Sequence, residues 1–250
     1  PTALERSINI IEKNAVDGVL FGYSDEGDLR TGGDMTSLLN CCQMQKEGAC
    51  VQTSKVVNQI VSITPNQNIA GYVFRVIYLT SIIRENEIKF DESLKIAEDY
   101  KYINEYLLYT NKIYVLPEVL YIKNTNDMST CAKYVPTMHT DMNAVNNWMR
   151  DKVLGSFPEV KQNLDESRCN TYKLTVQNLC TQGTTYRMTQ RIREASHIKY
   201  QYGYNDLLKK ARENKKNARK TRIAFWIFSL GLDWLFIILY SIKRKTLFSR

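Results

Sequence analysis

Metal and disulfide chemistry find little to use in this sequence. It has 6 cysteines, Cys41, Cys42, Cys50, Cys131, Cys169 and Cys180, and only 2 histidines, His139 and His197. No C-x-x-C occurs and neither histidine lies near a cysteine in the chain, so the spacing of a structural zinc site is absent. There is no N-x-[ST] sequon and no signal-peptide pattern at the visible start, and the thiols are expected to be reduced in a cytosolic compartment. No low-complexity tract and no repeat of fixed period is present, which excludes solenoids and repeat arrays. With 44% hydrophobic and 24% charged residues, the composition also excludes disorder for most of the chain.

What is present is enough chain for a sizeable core. The 250 residues suit one α/β domain with an appendage. The sequence opens at Pro1 with an amphipathic helical pattern already under way, TALERSINIIEKN, so the natural start is expected upstream. The charge is uneven. Residues 187–250 hold 16 Lys and Arg against 4 Asp and Glu, a net of +12, which leaves about −4 of the total +8 for the preceding 186 residues. A basic surplus at one end, next to an apolar run, points to anionic lipid headgroups; a solvated helical face is the plainer reading. Nucleic acid is not expected as a partner, because the basic residues lack interleaved aromatics until the apolar run begins.

Along the chain, VDGVLFGY reads as a short buried strand after the first helix, followed by the polar, glycine-containing SDEGDLRTGGD. Asp34 is placed to cap a helix through MTSLLNCCQMQK, with Met35, Leu38, Leu39 and Cys42 on one face. The stretch IAGYVFRVIYLTSIIREN joins a β-branched and aromatic run to a helical end that Asn86 can stop. Next, Ile96, Tyr100, Ile103 and Leu107 recur at helical spacing, predicting a helix from about Ala97 with Glu98 and Asp99 in its first turn. A carboxylate there faces open backbone N–H groups and the positive end of the helix dipole, so it is held charged and in place. Plain capping is the common use of such acids. NKIYVLP and EVLYI then read as strands broken at Pro117.

The run Lys89, Phe90, Asp91, Glu92, then Ala97, Glu98, Asp99, Tyr100, and later Pro117, Glu118, Leu120 and Tyr121, resembles the second half of a family 2 glycosyltransferase domain of the GT-A type. Members show R-F-D-E, then G/A-E-D and an aromatic, then a helix and a strand ending near P-E-x-L-Y. The resemblance covers about residues 1–130. It implies that a helix like PTALERS follows a D-x-D loop holding a divalent metal, Mg or Mn, and the donor diphosphate; no D-x-D occurs in these 250 residues, so the metal ligands are expected outside this chain.

Inverting sugar transfer needs a base for the acceptor hydroxyl and positive charge for the departing nucleoside diphosphate. By resemblance, Asp99 is the base, Glu98 supports the site or positions the acceptor, and Tyr102, one turn on, lines the acceptor cleft. Where members often carry Asn-Lys-Leu-Tyr, this chain has Phe74, Arg75, Val76, Ile77 and Tyr78, so Arg75 is the candidate for the missing lysine's charge, and Lys123 is a second candidate for diphosphate contact.

Residues 131–222 carry little family signal. Helices are expected through VPTMHTDMNAVNNWMRDKVL and from Glu194 to Arg222, with Trp148 and Met149 as core and His139 structural. The final run, residues 223–242, is about 20 residues or about 30 Å as a helix, long enough to span a bilayer. Asp233 opposes insertion by about 3 kcal/mol, while each large apolar residue contributes about −0.3 to −0.6 kcal/mol. Ser229 and Asp233 share a face with Trp226 and Tyr240 between basic flanks, which suits an interfacial or re-entrant helix; spanning and a buried soluble helix stay open.

The expectation is therefore three segments: 1–130 as the C-terminal half of a GT-A, Rossmann-like α/β domain, 131–222 as a helical extension, and 223–250 as a membrane-associating tail at the cytoplasmic face. The expected activity is transfer of a sugar from a nucleotide-sugar donor to a glycan or glycolipid acceptor in polysaccharide synthesis. The alternative is a non-catalytic, membrane-tethered interaction module.

Overall fold

The computed structural model describes residues 2–25, 48–63, 71–124, 133–181 and 183–248. The helix expected after Asp34, the stretch from residue 26 leading to it, and Cys41, Cys42 and Cys131 lie outside the described residues. The chain divides into two compact units, Pro1–Thr125 with Asn147–Asn163, and Asn126–Asn146 with Leu164–Arg250.

The first unit is α/β. Helix α1, Ala3–Asn14, starts where its sequence says it should: the Thr2 hydroxyl accepts from Glu5 N (3.2 Å) and the Glu5 carboxylate accepts from Thr2 N (2.7 Å), a reciprocal cap. Strand β1, Gly18–Asp25, follows, then β2, Ala49–Gln52, and α2, Thr53–Val61. A single 3-10 turn, Val73–Arg75, leads into β3, Val76–Tyr78, and α3, Thr80–Glu85; α4 is Glu98–Leu107 and β4 is Lys112–Lys123. The sheet order is β2-β4-β1-β3, with β1 and β4 parallel and the outer pairings antiparallel. Val19, Phe21 and Leu116 are buried at the centre, with Ile10 and Ile11 of α1 packed on them. A near-continuous apolar run in β1 is what a strand covered on both faces requires.

Pro117 does not break β4, contrary to the sequence expectation. The register steps from Phe21↔Leu116 to Gly22↔Val119, so Pro117 and Glu118 fall in a bulge with no β1 partner, where a missing N–H donor costs nothing. Glu118 uses its freedom to pair with Arg6 of α1 at 2.6 Å.

Helix α5, Met138–Trp148, runs into a π-helical turn, Met149–Val153, whose Met149 and Val153 are fully buried. That turn packs on α4 in the first unit.

The second unit is helical: α6, Lys161–Leu179, α7, Met188–Gln201, α8, Tyr204–Ala211, α9, Arg219–Ser229, and α10, Asp233–Phe248. Its core stacks Tyr172 of α6 against Tyr204 and Phe228, each at 5.1 Å between ring centroids. The helical stretch expected from Glu194 to Arg222 is interrupted twice. Gly203 adopts φ +64°, a left-handed turn that glycine enters without penalty. Further on, buried Glu166 accepts from Asn214 Nδ2 (2.6 Å) and Asn217 Nδ2 (2.9 Å), fixing the chain between α8 and α9 in a non-helical course.

The apolar run 223–242 is not one helix. It bends at Gly231, φ +74°, into the α9–α10 hairpin. Asp233, the residue that opposed membrane insertion, is 2% exposed and held by Lys199 Nζ and the Tyr172 hydroxyl. Among the described residues no helix is long and apolar enough to cross a membrane.

Candidate active site

Helix α4 carries the two acids found in the sequence. Its buried stripe, Ile103, Tyr106 and Leu107, packs inward. Tyr106 locks the helix to the sheet, donating from its hydroxyl to Asp17 O and accepting from Leu79 N at 2.8 Å. Burial pushes the Tyr106 hydroxyl up to about 12, so this double contact stays protonated at neutral pH.

The helix begins where the spacing put it, with Glu98 and Asp99 in its first turn. Ala97 is the N-cap in the left-handed region, φ 64° and ψ 13°, and has no side-chain acceptor for the open N–H groups. Asp99 supplies one instead: its Oδ1 accepts from Tyr100 N at 2.7 Å. Burial raises the Asp99 carboxyl above its ordinary value, partly offset by that backbone bond and reinforced by the Glu98 charge. Asp99 is thus a desolvated carboxylate oriented by a helix start, the condition a general base needs. A non-glycine residue in the left-handed region next to it is local strain of about 1 kcal/mol or more.

Aromatic rings surround this end of α4. Tyr78 of β3 meets Tyr102 edge-on at 5.7 Å and Tyr106 at 4.8 Å, and Phe90 stacks flat on Tyr102 at 4.3 Å. Burial, then the neighbouring Tyr102, Tyr106 and Asp99 charges, drives the Tyr78 hydroxyl strongly upward, which places Tyr78 in the field of the Asp99 carboxylate. Asp91, in the loop leading to α4, grips Lys101 at 2.7 Å, and the Lys101 ammonium lies 5.7 Å from the Trp148 ring centre. The Lys101 and Ser93 contacts hold the Asp91 carboxyl down to about 2. Phe90 and Asp91 therefore tie the preceding loop to α4.

A second group of predicted residues gathers at the C-terminal end of the parallel strands, where α/β sheets bind ligands. Lys123, at the end of β4, sits 5.2 Å from the Tyr72 ring centre, and Tyr72, Phe74 and Tyr121 stack in series with Tyr23 edge-on to the first two. Arg75 is here too but is 0% exposed: its Nε donates to Phe21 O (3.1 Å) and its guanidinium lies over Tyr23. It holds the 3-10 turn to β1 and presents no surface to a diphosphate arriving from solvent, so Lys123 is the accessible cation of the two. The two groups meet at Gly71, where a Cβ would stand 3.0 Å from both Tyr100 Cδ2 and Ile60 Cγ2, so any larger residue would press on both side chains. Sequence reasoning missed Ala97's conformation, the Tyr72–Phe74–Tyr121 stack and Gly71. The signal for the stack was the run of aromatics itself; contacts across the sheet have no sequence signature.

Solved structures align with 97% of the chain. Crystallised S. aureus TarS 1-349 in complex with UDP-GlcNAc matches at TM-score 0.58 and 16% identity, covering 97% of this chain and 64% of TarS 1-349. The complex with UDP matches at TM-score 0.55 and 15% identity, covering 97% and 62%. TarS 1-349 crystallised alone gives TM-score 0.55 at 17% identity, again 97% and 62%. The fold is the one TarS 1-349 has. The chain spans about 62 to 64% of the length of these structures, and the match takes in the α9–α10 hairpin, which is too long to fall in the uncovered 3%. No protein-family model matches the chain, and no curated protein sequence matches it.

Proposed function

We propose that this chain supplies the acceptor-activating side of an inverting family 2 glycosyltransferase that uses a nucleotide-sugar donor. The observation that carries the reading is Asp99: a partly buried carboxylate with a raised pKa, at a helix start, in a fold shared with TarS 1-349 crystallised with UDP-GlcNAc. In the proposed step Asp99 takes the proton of an acceptor hydroxyl as that oxygen attacks the anomeric carbon. The new C–O bond forms as the bond to the nucleoside diphosphate breaks, and the diphosphate departs with the electron pair. Glu98 holds the carboxylate field of the first turn, Tyr102 with the half-exposed Phe90 provides a flat apolar platform for a glycan or glycolipid acceptor, and Lys123 meets the diphosphate charge. Transfer of a hexose-type sugar in polysaccharide synthesis at the cytoplasmic face of a membrane fits this reading.

The resemblance implies a divalent metal, but among the described residues no three His, Cys, Asp or Glu side chains converge to hold one. Every step assigned above runs on side chains of this chain alone.

The test is Asp99→Asn in the full-length protein. Turnover should fall by about 10²-fold or more with donor binding retained. Because burial raises the Asp99 pKa, the acid limb of kcat/KM should lie above the ordinary carboxylate value of 3.8 and vanish in the variant. Native turnover in Asp99→Asn would place the base elsewhere.

A further inference from the structure

The second unit carries a cluster of cations that its own side chains leave unmatched. Arg212, just past α8, and Arg219, Arg222, Ile223 and Trp226 on one face of α9 line a cavity of about 280 Å³. Arg212 Nη1 reaches Ser229 Oγ at 3.0 Å, while the Arg222 Nε is buried with no hydrogen-bond partner. Among the described residues none of these three arginines forms an ion pair, and no carboxylate lines the cavity. Two other charges of this unit are matched, Lys199 by Asp233 and Glu166 by two asparagines.

The arrangement works against the helix that bears it. Arg219, Lys220 and Arg222 crowd the N-terminal end of α9, where the dipole is positive and the N-cap Ala218 offers no acceptor. Cations there destabilise a helix, and like charges three apart repel. A bound anion reverses both costs, and guanidinium groups pair with phosphate oxygens two at a time.

A second cavity of about 220 Å³ adjoins the first and shares Ile223. It lies between α9 and α10, is walled by Ala224, Ile227, Phe236 and Leu239, and carries Lys220 and Lys243 on its lining. Trp226, Leu230 and Trp234 stand about half exposed on the same hairpin. A cationic pocket that shares Ile223 with an apolar groove fits an amphiphile.

We propose that the α9–α10 hairpin binds a lipid phosphate, with the phosphate in the Arg212, Arg219 and Arg222 pocket and hydrocarbon in the adjoining groove. It would hold the protein to an anionic bilayer surface without a spanning helix. The proposal is independent of the glycosyltransferase reading, since no residue of the first unit takes part.

The test is vesicle flotation of the full chain with phosphatidylcholine vesicles, with and without phosphatidic acid, and with inorganic pyrophosphate as a soluble competitor. Binding should require phosphatidic acid, weaken with pyrophosphate, and drop at least about 10-fold in Arg219→Gln/Arg222→Gln, corresponding to loss of charge-assisted phosphate bonds. Lys215→Gln/Lys216→Gln, which removes two exposed cations outside the pocket, should change binding less than about 2-fold. Leu239→Gln should weaken vesicle binding and spare pyrophosphate binding, read by Trp226 fluorescence. Removing repelling charge should leave the arginine variant folded, with a thermal midpoint at or above that of the parent. Equal losses in the two double variants would reduce the effect to diffuse charge and overturn the pocket. Pyrophosphate binding without vesicle binding would overturn the lipid assignment, and binding of neither would overturn the whole.

Discussion

Lys199→Met should cost the second unit about 3 kcal/mol of stability. In the parent, Lys199 Nζ contacts Asp233 and donates to Phe228 O at 3.1 Å, while the Tyr172 hydroxyl reaches Asp233 Oδ1 at 2.5 Å, with Ala195 O at 3.1 Å as its other acceptor. Lys199 is 8% exposed and Asp233 2%, so neither charge has water to return to. Methionine keeps the length of the stem and deletes the ammonium, leaving a carboxylate buried beside one hydroxyl. Breaking a buried pair in this way costs about 3 to 5 kcal/mol. The low end applies here, because Asp233 opens α10 and the helix dipole recovers up to about 1 kcal/mol of its charge.

Urea unfolding followed by the fluorescence of Trp226 and Trp234 reads this directly. Lys199→Met/Asp233→Leu should recover most of the loss, since a buried pair replaced by apolar groups is often neutral. The double-mutant cycle should therefore give a coupling of about 2 to 3 kcal/mol. A cost below about 1 kcal/mol for Lys199→Met, the worth of an exposed pair, would mean that Asp233 is not enclosed and that the hairpin does not pack on α7 as described.

Two further substitutions address α4 and its approach. Ala97→Gly should raise stability by about 0.5 to 1 kcal/mol in the same denaturation assay, because φ 64° is strained for alanine and free for glycine, against which glycine's larger unfolded-state entropy is set. Asp91→Asn should lose about 1 kcal/mol at neutral pH, the two side chains of the Asp91–Lys101 pair being 28% and 20% exposed and so partly screened. Since the folded Asp91 pKa is depressed to about 2 from 3.8, its contribution is present above 3.8 and lost as pH falls through about 2, and the gap between parent and variant should close over that window.

How far the sequence reached depended on whether a feature was local. Helix α1, the buried run of β1 and the stripe of α4 were legible because each repeats its periodicity over several residues, and Ile103 and Leu107 are buried where the spacing put them. The reading of Pro117 as a break treated β4 in isolation. Its tolerance comes from the slipped register against β1, a property of the pair. The apolar tail was weighed by hydropathy, helical faces and flanking charge as one continuous helix, and Gly231 was the available sign that L-G-L-D would turn. Pairing of Asp233 with Lys199 across 34 residues was not available from any spacing.

The acids at 98 and 99 join the two kinds of feature. Their place in the first turn of a helix was a local inference, and a first-turn acid by itself is as well explained by capping. Capping is in fact what Asp99 does for Tyr100 N. What separates it from an ordinary cap lies in three distant contacts: the Tyr106 lock onto Asp17 and Leu79, the Asp91 clamp on Lys101, and the rings of Tyr78, Tyr102 and Phe90. These contacts also over-determine the helix start and so hold Ala97 in a conformation alanine otherwise avoids. Local strain next to a desolvated carboxylate, in a segment otherwise consistent from pattern to packing, is where a functional demand outweighs a folding rule. That conjunction is the ground on which catalysis is proposed over capping alone, and Asp99→Asn separates the two by turnover.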